Sequence, residues 1–123
     1  MKFLTLITCM DGRIQQPVMD YLKQKYPSHY PDTVTEAGPV KYLSENYFTP
    51  VFYSILNRLD ISIEKHGSKQ IFIVAHPDCA GNPQNKEKQI EQLHLAKKRL
   101  QTYYPDSDIH GLWVENNQKV IEI

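Results

Sequence analysis

Hydrophobic and polar positions along this chain switch between two periods, and the switches divide it into strands and helices. Lys2 to Thr8 (KFLTLIT) reads as a buried strand. From Ile14 the apolar positions Ile14, Val18, Tyr21, Leu22 and Tyr26 recur at helical spacing, with Pro17 tolerable in a first turn. The YPSHYPD stretch ends that helix, and Thr33 to Glu36 reads as a short strand closed by Ala37-Gly38-Pro39. Val40 to Phe48 reads as a long connection. Thr49-Pro50 then gives an N-cap followed by proline at the first helical position. The helix it opens carries Phe52, Ile55, Leu56 and Leu59 on one face and stops near His66-Gly67. Gln70 to Ala75 (QIFIVA) is nearly all apolar, as expected of a strand covered on both faces. Asn85 to Tyr104 returns to the helical period through Ile90, Leu93, Ala96 (or Lys97) and Leu100. Ile109 to Val114 and Lys119 to Ile123 are strands joined by Glu115-Asn116-Asn117-Gln118, a hairpin signal.

The resulting order, β-α-β-α-β-α-β-β, predicts an α/β fold as one domain over residues 1–123. Its sheet should be mostly parallel, with helices on both faces and a C-terminal antiparallel strand. Ligands in such folds bind at the carboxyl ends of strands, where successive crossovers leave in opposite directions. A charged content of 23% against 41% hydrophobic is that of an ordinary globular chain. Formal net charge is zero, so nothing electrostatic calls for nucleic acid or an anionic membrane. The same neutrality does little to keep copies apart and leaves a homodimer or higher homo-oligomer open. The apolar run Phe3 to Ile7 is too short for a signal peptide or a membrane span, which predicts a cytoplasmic protein. Two cysteines in that compartment point to metal, catalysis or plain burial before a disulfide.

Chemistry-bearing residues follow two strand ends. Cys9-Met10-Asp11-Gly12-Arg13 lies at the turn from strand one into helix one. There a thiolate gains from the helix N-terminus and from Arg13, and Asp11 can pair with Arg13. Taken alone, a buried cysteine beside a capping aspartate explains the motif equally well. The arginine comes too early for the C-x5-R loop of cysteine phosphatases. His76-Pro77-Asp78-Cys79-Ala80-Gly81 follows strand three, and its H-x-x-C spacing lets an imidazole and a thiolate converge from one turn. Two ligands do not make a site. If strands one and three are neighbours, however, Cys9, His76 and Cys79 face one another across the switch-point crevice. Two thiolates and an imidazole suit zinc, with a fourth position left for water or for Asp11.

With both motifs in place, the chain resembles the β-class carbonic anhydrases. That family carries C-x-D-S-R after its first strand and G-H-x-x-C-G-G after its third, read here as CMDGR and AHPDCAG. Its R-N-A-G segment aligns with Thr35-Glu36-Ala37-Gly38. The resemblance implies Zn2+ held by Cys9, His76 and Cys79, with Asp11 and Arg13 as catalytic residues. It also implies reversible hydration of carbon dioxide to bicarbonate, in which Asp11 orients zinc-bound hydroxide and Arg13 holds Asp11. This chain departs from the family at Gly12, Ala75 and Ala80, and at Thr35 and Glu36, the last adding a carboxylate near the expected site. It opens on strand one, so no counterpart of the family's N-terminal helical arm is expected.

Three functions fit these residues. The first is a zinc lyase acting on carbon dioxide or a close analogue such as carbonyl sulfide or carbon disulfide. The second is a zinc-binding relative without catalysis that serves as a binding or regulatory module, which Gly12 and Glu36 favour. The third pairs Cys9 with Cys79 in metal-free redox chemistry and leaves His76 without a task. His29, His66, His94 and His110 lie outside both motifs and read as surface or helix-end residues.

Overall fold

The computed structural model describes residues 1–123. Five strands, β1 (Lys2–Cys9), β2 (His29–Glu36), β3 (Gln70–Ala75), β4 (Asp108–Glu115) and β5 (Lys119–Glu122), form one sheet. Its order is β2-β1-β3-β4-β5, parallel throughout except for the antiparallel β4–β5 pair. Four helices connect them: α1 (Gln15–Lys25), α2 (Pro39–Ser44), α3 (Pro50–Asp60) and α4 (Lys86–Tyr103).

Strand alternation explains why both faces are covered. Leu4 and Leu6 of β1, Phe72 and Val74 of β3, and Leu112 and Val114 of β4 pack with Ile14, Val18 and Leu22 on the α1 side. Their neighbours Ile7, Ile71, Ile73 and Trp113 point the other way, against Leu43 of α2, Phe52, Ile55 and Leu59 of α3, and Leu93, Ala96 and Leu100 of α4. Each side excludes water, so β1 is buried from Leu4 to Cys9 and β3 from Ile71 to Ala75. The N-caps follow the side-chain chemistry: Thr49 Oγ1 accepts from Phe52 N at 3.1 Å, and Asn85 Oδ1 accepts from Lys88 N at 2.8 Å.

Two expectations are corrected, and the helix stop at His66-Gly67 holds. β2 begins at His29 rather than Thr33, because it is an edge strand and its outer side asks nothing of Pro31, which has no N–H to offer. Val40 to Phe48 is not a plain connection: Pro39–Ser44 forms the short α2, which buries Val40 and Leu43. After α3 the chain widens into one π turn over Ile61–Lys65 before Gly67, at φ +70°, releases it. The connection β1-α1-β2 leaves toward one edge of the sheet and β3-α4-β4 toward the other. The switch point therefore lies between the carboxyl ends of β1 and β3.

Candidate metal centre

β1 and β3 pair directly, with Ile7 opposite Ile73. Continuing that register sets Cys9 level with Ala75, so His76 emerges one step beyond it. The turn after His76 then returns Cys79 toward Cys9. The sulfur, nitrogen and sulfur ligand atoms of Cys9, His76 and Cys79 all lie within 4.8 Å of one another. All three residues are buried, His76 completely. The two Sγ atoms are 3.8 Å apart, and both cysteines are free.

Backbone crossing holds this arrangement. Gly81 passes so close to Ala37 that an added Cβ would sit 2.5 Å from the Ala37 carbonyl carbon. Gly38, at φ +61°, meets Gly81 in the same way, at 2.7 Å. That approach lets Gly38 N–H donate to Cys9 Sγ at 3.5 Å. Gln15 Nε2 donates to the carbonyls of Cys9 (2.8 Å) and Asp11 (2.7 Å) and closes the first loop. Gln89 Nε2 donates to the His76 carbonyl at 2.9 Å, and buried Asn82 pairs with Gln92 at 2.8 Å, which ties the second loop to α4. None of these amides stood out in the sequence, where a helix glutamine looks like any solvated residue.

The histidine has one satisfied nitrogen and one orphan. Its Nδ1 lies 3.0 Å from Asn117 Oδ1, whereas Nε2 is buried with no hydrogen-bond partner. A buried polar atom left unpaired is costly in a folded chain, and a metal ion between the two sulfurs would satisfy it. Burial pushes the Cys9 thiol up, but His76 and the amides of Gly38 and Asp11 outweigh it and bring the group down to about 7. Cys79 moves the other way, raised by burial and then by the charge of Cys9. One thiolate therefore forms readily, and a cation is what would permit the second.

Asp11 and Arg13 sit at the rim. Arg13 Nη2 donates to Asp11 Oδ2 at 2.7 Å, Arg13 Nε to Oδ1 at 3.1 Å, and the Arg13 amide to Oδ1 at 2.9 Å. The guanidinium also reaches Asp78, whose φ is +54°, through Nη1 to Oδ2 (3.1 Å) and Nη2 to the carbonyl (3.0 Å). Asp11 is thus turned to Arg13 and is not one of the three converging ligands. These rim residues, with Cys79, Gln84 and Asn85, line an open cleft of about 640 Å³. Glu36, expected to add charge here, instead ion-pairs with Arg58 of α3. The remaining histidines stay apart: His66 pairs with Asp32, His110 with Glu122, His94 is exposed, and His29 lines a separate pocket.

A parallel sheet whose switch-point crevice presents Cys-His-Cys beside an Asp–Arg pair has the architecture of the β-carbonic anhydrases. The sequence family described as "Putative carbonic anhydrase" matches residues 1–123, and the chain belongs to that family. Solved structures agree on the fold. A carbonic anhydrase from Glaciozyma antarctica superposes with TM-score 0.64 at 16% identity, over 97% of this chain and 80% of its own. A tetrameric β-carbonic anhydrase from Sordaria macrospora gives 0.61 at 12% identity, over 98% and 79%. One from Aspergillus fumigatus gives 0.57 at 11%, over 100% and 90%. No curated protein matches the chain by sequence.

Two predictions follow from this geometry. Gly81→Ala should lose about 3 kcal/mol in urea unfolding, because the clash is with backbone and neither loop can yield. Gly12→Ser, at a position with nothing within 4 Å, should stay within about 0.5 kcal/mol of wild type. Equal losses for the two would mean that the loops do not cross as described. Asp11 is held at about 2 by Arg13, below the ordinary 3.8. Its contribution to stability is therefore complete above that ordinary value and is lost as pH falls through about 2. A carboxyl carbon titration should give that low midpoint, and Arg13→Ala should raise it toward ~3.9 but short of that value, because the amide of residue 13 still donates to Oδ1. A wild-type midpoint already near the ordinary value would refute the pair.

Proposed function

We propose that this chain is a zinc-dependent carbonic anhydrase that interconverts carbon dioxide and bicarbonate. The observation that carries the reading is the convergence of Cys9, His76 and Cys79 on one point with His76 Nε2 unpaired. Thiolates at ~2.3 Å from a tetrahedral zinc lie about 3.8 Å from each other. The Cys9 and Cys79 sulfurs are at that spacing, well beyond the roughly 2.05 Å of a disulfide. Soft sulfur with borderline imidazole selects zinc over magnesium or calcium, and three protein ligands leave a fourth position free. What zinc supplies when bound is Lewis acidity, which brings the ionisation of water to ~7.

The chain's own residues do the rest. Asp11, ionised and acceptor-only, takes a hydrogen bond from the attacking oxygen and fixes which lone pair faces the substrate. Arg13 keeps Asp11 ionised and out of the ligand sphere, and Asp78 keeps Arg13 in place. The open cleft beside them gives a small neutral substrate a way in and an anionic product a way out to solvent.

The purified chain should hold about one zinc, strongly reduced in Cys79→Ser. Stopped-flow hydration of carbon dioxide should rise with pH through ~7, and Asp11→Asn should lower it roughly 10–100-fold. Zinc bound with no rate above background would overturn the lyase and leave the binding module.

Self-association belongs to the same reading. The relative from Sordaria macrospora is tetrameric, and Phe48, Tyr53 and Tyr103 leave an aromatic patch exposed here. Light scattering should find a homo-oligomer; a monomer at micromolar concentration would remove that part. No helix is long and apolar enough to cross a membrane. Two free thiols fit the reducing cytoplasm, where we place the protein.

A further inference from the structure

We propose that Asn117 is a positioning residue for His76, selecting the imidazole tautomer whose bare Nε2 faces the two sulfurs. The inference rests on the metal reading for its purpose, but its structural content is independent of any ion.

Neutral imidazole has one N–H and one lone pair. With Asn117 Oδ1 at 3.0 Å from Nδ1, the proton belongs on Nδ1, because a bare nitrogen would set two lone pairs against each other. Nε2 is then unprotonated, and it is the nitrogen without a partner. Complete burial of His76 leaves no solvent on its Nε2 side, where the Cys9 and Cys79 sulfurs lie near the ring. An outer-shell acceptor of this kind fixes ring orientation as well as tautomer.

Turn formation alone does not account for Asn117. Asn116 and Asn117 take φ +53° and +56°, as the two central residues of a tight hairpin must, and asparagine is at home there. Asn116 is exposed, however, while Asn117 is half-buried with its oxygen on the ring. The hairpin is braced for that task. Glu115 takes a hydrogen bond from Trp113 Nε1 and an ion pair from Lys86 at 3.1 Å, and Asn117 N–H donates to the Val114 carbonyl at 3.2 Å. Because β4 runs beside β3, with Trp113 opposite Ala75, the tip of the turn overhangs the residue that follows Ala75.

The test uses two substitutions that the turn accepts. Asn117→Gly keeps positive φ and removes the acceptor; Asn117→Asp keeps both. Competition against a chromophoric zinc chelator should show Asn117→Gly binding roughly 10–100-fold more weakly and Asn117→Asp at least as tightly as wild type. Ring 15N shifts of the metal-free full chain at about pH 9, above the ordinary histidine range, should place the proton on Nδ1 in wild type and Asn117→Asp. In Asn117→Gly it should redistribute toward Nε2. Wild-type zinc affinity in Asn117→Gly, or a ring proton on Nε2 in wild type, would overturn the proposal. A wild-type chain that takes no zinc would instead defeat the metal reading, and the ring proton would still decide the role of Asn117.

Discussion

Two pieces of backbone cross in the site: Ala37-Gly38, leaving β2, and Gly81, two residues past Cys79. Neither side has room for a Cβ. This crossing determines the distances that matter. It brings the Gly38 amide to the Cys9 sulfur, and it sets Cys79 at 3.8 Å from the same atom. Buried Asn82, clasped by Gln92 of α4, keeps the second loop from relaxing outward. Loop conformation, sulfur spacing and donor geometry are consequences of one steric constraint rather than separate features.

Above that constraint the site divides into a buried and a hydrated layer. Cys9, His76 and Cys79 are buried, with Cys79 alone of the three lining the cleft, so their unshared pairs interact strongly with one another and with any cation placed between them. Asp11, Arg13 and Asp78 lie at the rim, where solvent screens them and pairing keeps the two carboxylates from turning inward. The division has chemical sense. Ligand strength needs a dry environment, whereas a group that exchanges hydrogen bonds with a reacting oxygen needs access to the cleft.

Much of this was legible in the sequence, for reasons specific to each element. β1, β3 and α4 announce themselves because burial on a defined face imposes a period. β2 reads short in the sequence because Pro31 looks like a breaker until the strand is known to be an edge. α2 has only six residues, too few for a period to register. Cys9 and the His76/Cys79 pair were found because residues with few alternative uses stood after strand ends, and the ordered resemblance to a family joined them. Alignment of Thr35-Glu36-Ala37-Gly38 with the family's R-N-A-G segment sets Glu36 near the centre. Strand alternation gives it the face of Val34, which α3 covers, and there Arg58 meets it. The supporting amides of Gln15, Gln89 and Asn117 had no signal, since hydrogen bonding to a distant carbonyl or ring leaves no trace in composition or period.

The C-terminal hairpin shows how topology contributes to a site without contributing a ligand. A parallel fifth strand would need a crossover of a dozen or more residues, which would carry the chain away from the carboxyl end of β3. An antiparallel strand needs only a tight turn, and that turn must lie at the end of the sheet where the metal ligands emerge. Positive φ then restricts its central positions to glycine, asparagine and aspartate, two of which carry an acceptor at the end of a short side chain. Strand order next brings β4 alongside β3, so the second of those positions falls over His76. Reversal of the last strand thus does more than close an edge: it places an acceptor where the buried imidazole has a proton to give.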